Sequence, residues 1–320
     1  MRAALVDRYG TPEVLRIADI PRPEPGADEV LLRVVAAAVT SADARIRAAR
    51  FPAGFGIPAR LVFGLRRPRR PILGSAFSGV VESVGTLVSD FVPGDEVCGM
   101  TGMAMGAHAE FLALAARKLV RKPAAVSHQD AAGVLFGGTT ALYFLSEKAA
   151  LRAGMSVLVN GASGAVGTNA VQLARHWGAK VTGVCSGANA ELVGRLGADR
   201  VIDYQRTELS GVAERFDVVL DTVGNLSMAS GRRLLTPQGR LLLAVAGLGE
   251  TIRARGNVAA GAAPERVADV ERLLQLVAGA SIEVVHERSF ELADIALAHR
   301  LVDSGRKRGN VLVCPEPSAH

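Results

Sequence analysis

Residues 156–203 read SVLVN-GASGAVG-TNAVQLARHWGA-KVTGVC-SGAN-AELVGRLGAD-RVID, and this stretch decides the fold. Five residues, SVLVN, form an apolar run short enough for a buried strand and run straight into a glycine-rich turn. A helix is predicted over 166–177, then a second strand over 180–185, a helix over 190–196 and a third strand over 200–202. The turn is an AxGxxG variant of the dinucleotide fingerprint, with Ala162 in the first glycine position. Gly164 lets the backbone approach a pyrophosphate, and Gly167 lets the helix pack closely on the strand. Amides of Ala162, Ser163, Gly164, Ala165, Val166 and Gly167 then face the ligand at the positive end of the helix. Such a motif is weak alone; its position at a strand-to-helix turn opening a β/α series gives it weight.

The end of the second strand bears on which dinucleotide binds. An acidic residue about 20 positions on would hold an adenosine ribose 2′-hydroxyl. Here Cys185-Ser186 stands in that place, so nothing repels a 2′-phosphate. The expectation is NADPH in preference to NADH, with Ser186, Asn189 and Tyr204 closing the site. A plain polar turn over 186–189 is the competing reading.

Outward from this core, strands are expected at 216–220, 239–245 and 257–262, with helices at 228–235 and 265–277. Apolar strands alternating with helices indicate an α/β fold, a doubly wound parallel sheet covered on both faces. A helix is expected from 128 to 151, with Ser127 as its N-cap and Gly154 just beyond its end. Before residue 123 the texture is different: β-like runs at 3–6, 30–36, 79–84 and 96–98 separated by proline-rich turns. The prolines at 52, 58, 68 and 71 predict a long irregular loop over 54–71. The tail returns to that texture, with a strand at 282–287, a helix at 292–303 and a strand at 311–313.

Composition narrows the function classes. Hydrophobic residues make up 49% of 320, enough for substantial cores and too many for a disordered polymer. Three isolated cysteines, Cys98, Cys185 and Cys314, provide neither a disulfide framework nor a cysteine zinc site, and fit a reducing compartment. The N-terminus lacks an apolar signal core, and the longest uncharged stretch, 131–146, is too short for a membrane span. A cytoplasmic protein with no membrane partner is expected. Net charge is +6, and all but five of the 37 basic residues are arginine. The dense cluster Arg66, Arg67, Arg69 and Arg70 has no interleaved aromatics, so a nucleic-acid partner is not expected.

GASGAVG, LGADRVIDY, FDVVLDTVG, the start MRAALVDRYGTPEVL, PILGSAFSGVVESVG, DFVPGDEV and GAHAEF together resemble the medium-chain dehydrogenase/reductase superfamily. The likeness spans essentially the whole chain and is greatest to the zinc-independent quinone oxidoreductase branch. It implies a Rossmann domain over 124–280 inserted in a β-rich GroES-like catalytic domain formed by 1–123 and 281–320. It also implies dimerisation through the edge of the nucleotide-domain sheet. At the positions where zinc-dependent relatives place metal ligands this chain has Thr40, Ser75 and Phe136, so no zinc is expected. Matched positions imply Thr40 and Asp43 as catalytic residues, with Thr140, Val223 and Gly247 around the nicotinamide. For Asp43 the alternatives are a helix cap or a pair with Arg47, for Thr140 packing, and His108 reads as structural. The implied activity is zinc-free hydride transfer from NADPH to a small quinone or α,β-unsaturated carbonyl. An enoyl-thioester or biosynthetic enoyl reductase, and an NADPH-binding protein with little turnover, remain open beside it.

Overall fold

The computed structural model describes residues 1–315. Its first half is β-rich: β1 (Arg2–Val6), β2 (Leu15–Asp19), β3 (Glu29–Ala38), α1 (Ser41–Ala48), α2 (Gly56–Phe63), β4 (Ala76–Val84), β5 (Glu96–Met100), β6 (Phe111–Ala115) and β7 (Leu119–Arg121). Next come α3 (His128–Leu142), β8 (Ser156–Asn160), α4 (Ala165–His176), β9 (Lys180–Cys185), α5 (Ala190–Arg195), β10 (Arg200–Asp203), β11 (Phe216–Asp221), α6 (Met228–Arg233), β12 (Leu235–Leu243), α7 (Leu248–Arg253), β13 (Val258–Ala260) and α8 (Val267–Ala278). The chain closes with β14 (His286–Glu291), α9 (Ile295–Asp303) and β15 (Asn310–Cys314).

Two large sheets result. One is six-stranded and parallel throughout, in the order β10-β9-β8-β11-β12-β13. This is the doubly wound order, whose direction reverses between β8 and β11 and leaves a crevice beyond the strand C-termini there. In the other, β14-β15-β3-β4-β5-β7 join with β6 paired to β3, so both ends of the chain build it. The fold is therefore α/β, a Rossmann sheet with a β-rich GroES-like unit. Helix α3 joins the halves, with Ala131, Leu135 and Leu142 in a core that includes Ala36 of β3 and Val159 of β8. It approaches α4 closely because Gly137 has no side chain; a Cβ there would lie 2.3 Å from the Ala165 carbonyl. Ser127 caps α3 by accepting from the Asp130 amide. No helix is long and apolar enough to cross a membrane among the described residues.

Three elements differ from the sequence reading. Residues 54–71 are not wholly irregular, because α2 forms within them with Pro58 in its first turn, where no amide proton is needed. Phe63 of α2 then stacks on Phe51 at 5.7 Å. The helix expected over 128–151 passes into a π-helical turn at Tyr143–Lys148. The last parallel pair begins later than expected, at His286 rather than 282. Ile282, Val284 and Val285 are buried in the main core rather than paired, and burial without pairing produces the same apolar pattern as a strand.

A buried polar cluster ties α1 to the C-terminal segment. Arg47 is fully buried; it donates to His299 Nδ1 at 3.3 Å, to the Gly10 carbonyl, and pairs with Asp303. A nitrogen that accepts from a guanidinium must be unprotonated, and burial holds the His299 imidazole well below its ordinary range. The unfolded chain therefore binds more protons than the folded one below pH ~6.5, where a free histidine titrates. We predict that stability contributed by His299 is fully present above that pH and declines as pH falls below it. Urea titrations from pH 7.5 to 5 should show a shallower decline for His299→Gln than for wild type. An unchanged slope would refute the assignment.

Candidate functional site

At the end of β8 the chain turns through Gly161 (φ +84), where a side chain would meet Thr222 Oγ1 at 2.5 Å. The Gly161 and Ala162 amides both donate to the Val184 carbonyl, at 3.1 and 2.9 Å. Ala162 is thereby committed to the fold; its methyl is fully buried, within 3.1 Å of where a Gly183 Cβ would stand. The two glycines that follow serve opposite needs. A Cβ on Gly167 would stand 2.1 Å from the Gly161 carbonyl, so close packing forbids one. Gly164 has extended backbone and open surroundings, and a Cβ there would meet only the Gly161 carbonyl at 3.5 Å. Gly164 is also the N-cap of α4 and offers no side chain, so the first-turn amides of Ala165, Val166 and Gly167 receive no side-chain cap. Such amides at a helix N-terminus make an anion site.

Neighbouring loops close around it. Ser163 Oγ accepts from Asn189 Nδ2 at 3.1 Å, joining the glycine turn to the loop after β9, where Ser186 is half-buried. Tyr204 follows β10; its amide donates to the Cys185 carbonyl at 3.1 Å and its ring is exposed. Beside it lie two groups absent from the sequence reading. Asp203 stands so near Gly187 that a Cβ there would be 2.7 Å from Oδ2, and the Arg206 guanidinium lies 3.7 Å from the same oxygen. The visible signal was DYQR at the end of the third strand. On the other side, Gly309 forms a bridge with Gly164 and donates to the Ser163 carbonyl at 2.8 Å. Lys307 Nζ donates to the Gly309 carbonyl, and burial pushes this ammonium down to about 8 against the opposing pull of Glu287.

Beyond β11, the fully buried Asp221 organises the next loop. Its carboxylate accepts from the Val223, Gly224 and Leu226 amides and from Asn160 Nδ2. Val223 is exposed, packed beside Gly161. Gly224, Val245, Ala246 and Gly247 form one wall of a cavity of about 480 Å³; Arg45, Arg50, Phe51, Pro52 and Ala53 form the other. The Leu248 amide donates across to the Ala53 carbonyl at 2.8 Å. Gly247 begins α7, where Glu250 accepts from its amide at 3.3 Å.

Thr40 and Asp43 lie behind that wall, at the start of α1. Thr40 Oγ1 donates to Asp43 Oδ2 at 2.6 Å, and the Thr40 amide reaches the same oxygen at 2.8 Å. The Asp43 amide donates back to Thr40 Oγ1, and Asp43 Oδ1 accepts from the Gly74 amide at 3.0 Å. This is a reciprocal capping box, fully buried at Asp43. Thr140 donates to the Phe136 carbonyl one turn back at 2.8 Å. His108 is fully buried with Nε2 3.1 Å from the Ala38 carbonyl. Cys98 is buried too, its thiol pushed up to about 12. Among the described residues no group of three or more His, Cys, Asp or Glu side chains is placed to hold a metal ion.

Known proteins match this architecture along its length. A family model for alcohol dehydrogenase GroES-like domains matches residues 26–124, and one for zinc-binding dehydrogenases matches 196–313. The mouse protein named NAD(P)H oxidoreductase RTN4IP1, mitochondrial, is 31% identical, covering 98% of this chain and 89% of its own. A Pseudomonas aeruginosa quinone oxidoreductase is 32% identical over 96% of this chain and 97% of its own. The chain belongs to the medium-chain dehydrogenase/reductase superfamily, on its quinone oxidoreductase-like branch. It is an NAD(P)H-dependent oxidoreductase. The solved quinone oxidoreductase from Coxiella burnetii superposes with a TM-score of 0.87 at 25% identity, covering 99% of both chains. A cobalt- and zinc-bound alcohol dehydrogenase from Pyrobaculum aerophilum superposes at 0.80 with 28% identity, covering 98% of this chain and 99% of its own. The fold thus includes a member that binds metal, and the side chains of each chain decide whether it does so.

The two glycines give a paired test. Gly164→Ala should leave the denaturation midpoint close to wild type while weakening NADPH binding by about tenfold or more, because the methyl occupies the ligand's approach. Gly167→Ala should instead lose about 2 kcal/mol or more of stability through overpacking against backbone. Chemical denaturation and fluorescence titration separate the two; equal behaviour of the variants would contradict the geometry.

Proposed function

We propose that the chain is an NADPH-preferring, zinc-free reductase of quinones or α,β-unsaturated carbonyls. The observation that carries this reading is the unobstructed, uncapped glycine turn at β8, whose Gly161 packs against Val223, the neighbour in sequence of Gly224 in the wall of the cavity between α1 and the β12 loop. A dinucleotide would lie with its pyrophosphate on the amides of Ala165, Val166 and Gly167 and its nicotinamide beside Val223 and Gly247. Bound there, the cofactor supplies hydride from nicotinamide C4. The protein's own part is to bind, orient and enclose.

The proton on Thr40 is given to Asp43, and both Asp43 oxygens are occupied. Their proposed contribution is therefore positioning: they fix the start of α1 and the Gly74 loop behind the substrate wall. Thr140 plays a similar part on α3, and the α-carbon proton of a reduced enone comes from solvent. At the other end, Ser186, Asn189 and Tyr204 receive the adenosine ribose. Arg206, its guanidinium exposed and 3.7 Å from Asp203 Oδ2, supplies the positive charge for a 2′-phosphate. Substrates of this class agree with the names of the P. aeruginosa relative and of an Arabidopsis thaliana NADPH-dependent alkenal/one oxidoreductase, 35% identical over 70% of this chain. The proposed setting is cytoplasmic, and the proposed homodimer contact is the β13 edge of the six-stranded sheet.

A panel of small quinones and enones with NADPH and NADH tests the reading. NADPH should give the higher kcat/KM by about tenfold or more, and Arg206→Ala should narrow the ratio by lowering affinity for NADPH alone. Equal or better use of NADH would end the cofactor preference. Tight NADPH binding without turnover across the panel would end the reductase reading, and stoichiometric zinc in the purified protein would end the zinc-free one.

A further inference from the structure

We propose that the cavity takes an electrophilic substrate bearing an oxyanion, a carboxylate or phosphate held by Arg45, Arg50 and Arg253. The inference rests on the reading of the cavity as the hydride-acceptor site and specifies the substrate class for it.

Several arginines of this protein are paired with acids. Arg2 meets Glu110, Arg121 meets Asp95, Arg300 meets Glu13 and Arg308 meets Glu287. The three that line the cavity are not: among the described residues Arg45, Arg50 and Arg253 make no side-chain hydrogen bond and no ion pair. They come from both walls, Arg45 and Arg50 from α1 and the turn after it, Arg253 from the end of α7. The single carboxylate lining the cavity is Glu250, and it accepts from the Gly247 amide. Arg45 is half-buried, and burial lowers its pKa with no carboxylate to offset the loss of solvent. A neutral ligand would strip more water from these cations and leave their charge unmatched, whereas an oxyanion matches the guanidinium fork. The cofactor's own pyrophosphate does not fill this need, because the uncapped amides of α4 at the end of β8 provide for it separately.

The test uses the whole chain with NADPH and a charge-matched pair, 4-oxo-2-pentenoate and its methyl ester, with crotonyl-CoA as a phosphate-bearing thioester. For the wild type, kcat/KM for at least one charged substrate should fall as salt rises, while the ester responds weakly. In Arg45→Gln/Arg50→Gln/Arg253→Gln, the ratio of kcat/KM for charged substrate over ester should drop by about tenfold or more, through KM. The NADPH dissociation constant should stay within about twofold of wild type. Preference for the enoate identifies a free carboxylate and preference for crotonyl-CoA a phosphate; either supports the proposal. The double variant Arg50→Gln/Arg253→Gln, with both residues exposed, gives the same reading if the triple variant folds poorly. Calorimetric titration of 4-oxopentanoate into the NADP⁺-bound protein separates this proposal from the reductase reading. Binding that the substitutions abolish, without turnover of any substrate, leaves the oxyanion site standing and removes the reductase. A charged-to-ester ratio and a titration both indifferent to the substitutions and to salt would overturn the site.

Discussion

The cofactor crevice depends on a contact that no side chain makes. The Gly161 carbonyl occupies the volume where any Cβ on Gly167 would stand, which draws the first turn of α4 against the end of β8. That approach aims the uncapped amides of Ala165, Val166 and Gly167 at the crevice instead of at a side-chain cap. It also brings Ser163 within reach of Asn189 on one side and of Gly309 on the other. Moving α4 outward would separate all three loops at once. The anion site is thus a consequence of backbone packing, with side chains added at its rim.

Buried carboxylates in this protein mostly organise backbone. Asp221 gathers three amides of the loop that carries Val223 and Gly224, and Asp43 closes the capping box of α1 while holding Gly74. Each occupies a place where an acid near an active site invites a catalytic reading. A carboxylate that already accepts several hydrogen bonds has little left to offer a substrate. These two acids nonetheless bear on the reaction, since the surfaces they hold are the two sides of the cavity.

How far the sequence could be read follows from where the information is local. The strand at Lys180–Cys185 and the turn at Gly164 and Gly167 were legible, because a buried parallel strand is nearly all apolar and close backbone approach demands glycine. Helix α2 was hidden by Pro58, which breaks a helix interior but sits comfortably in a first turn. Residues 282–285 looked like a strand because Ile282, Val284 and Val285 are buried, while the true strand at His286–Glu291 is polar and half exposed. Lys307, Gly309 and Arg206 could not be assigned to the crevice from spacing. They arrive there through the C-terminal return to the GroES-like sheet and through the neighbouring strand, which are tertiary facts.

Charge is where sequence and structure part most usefully. The excess of arginine suggests a general electrostatic surface, yet the four arginines of the 66–70 loop are exposed and unassigned to any wall of the crevice. The positive groups that matter are fewer and placed by the fold. Lys307 is half-buried and donates to the carbonyl of Gly309, which bridges to Gly164 at the start of α4, while Arg45, Arg50 and Arg253 line the cavity together with the carboxylate of Glu250. Loss of solvent lowers the Lys307 pKa to about 8, against the opposing pull of Glu287. Positive groups thus occur in two separate places, the uncapped amides at the glycine turn and the three arginines at the cavity. In the proposed function a dinucleotide's pyrophosphate would neutralise the first, and the second would be left for the substrate that the nicotinamide faces.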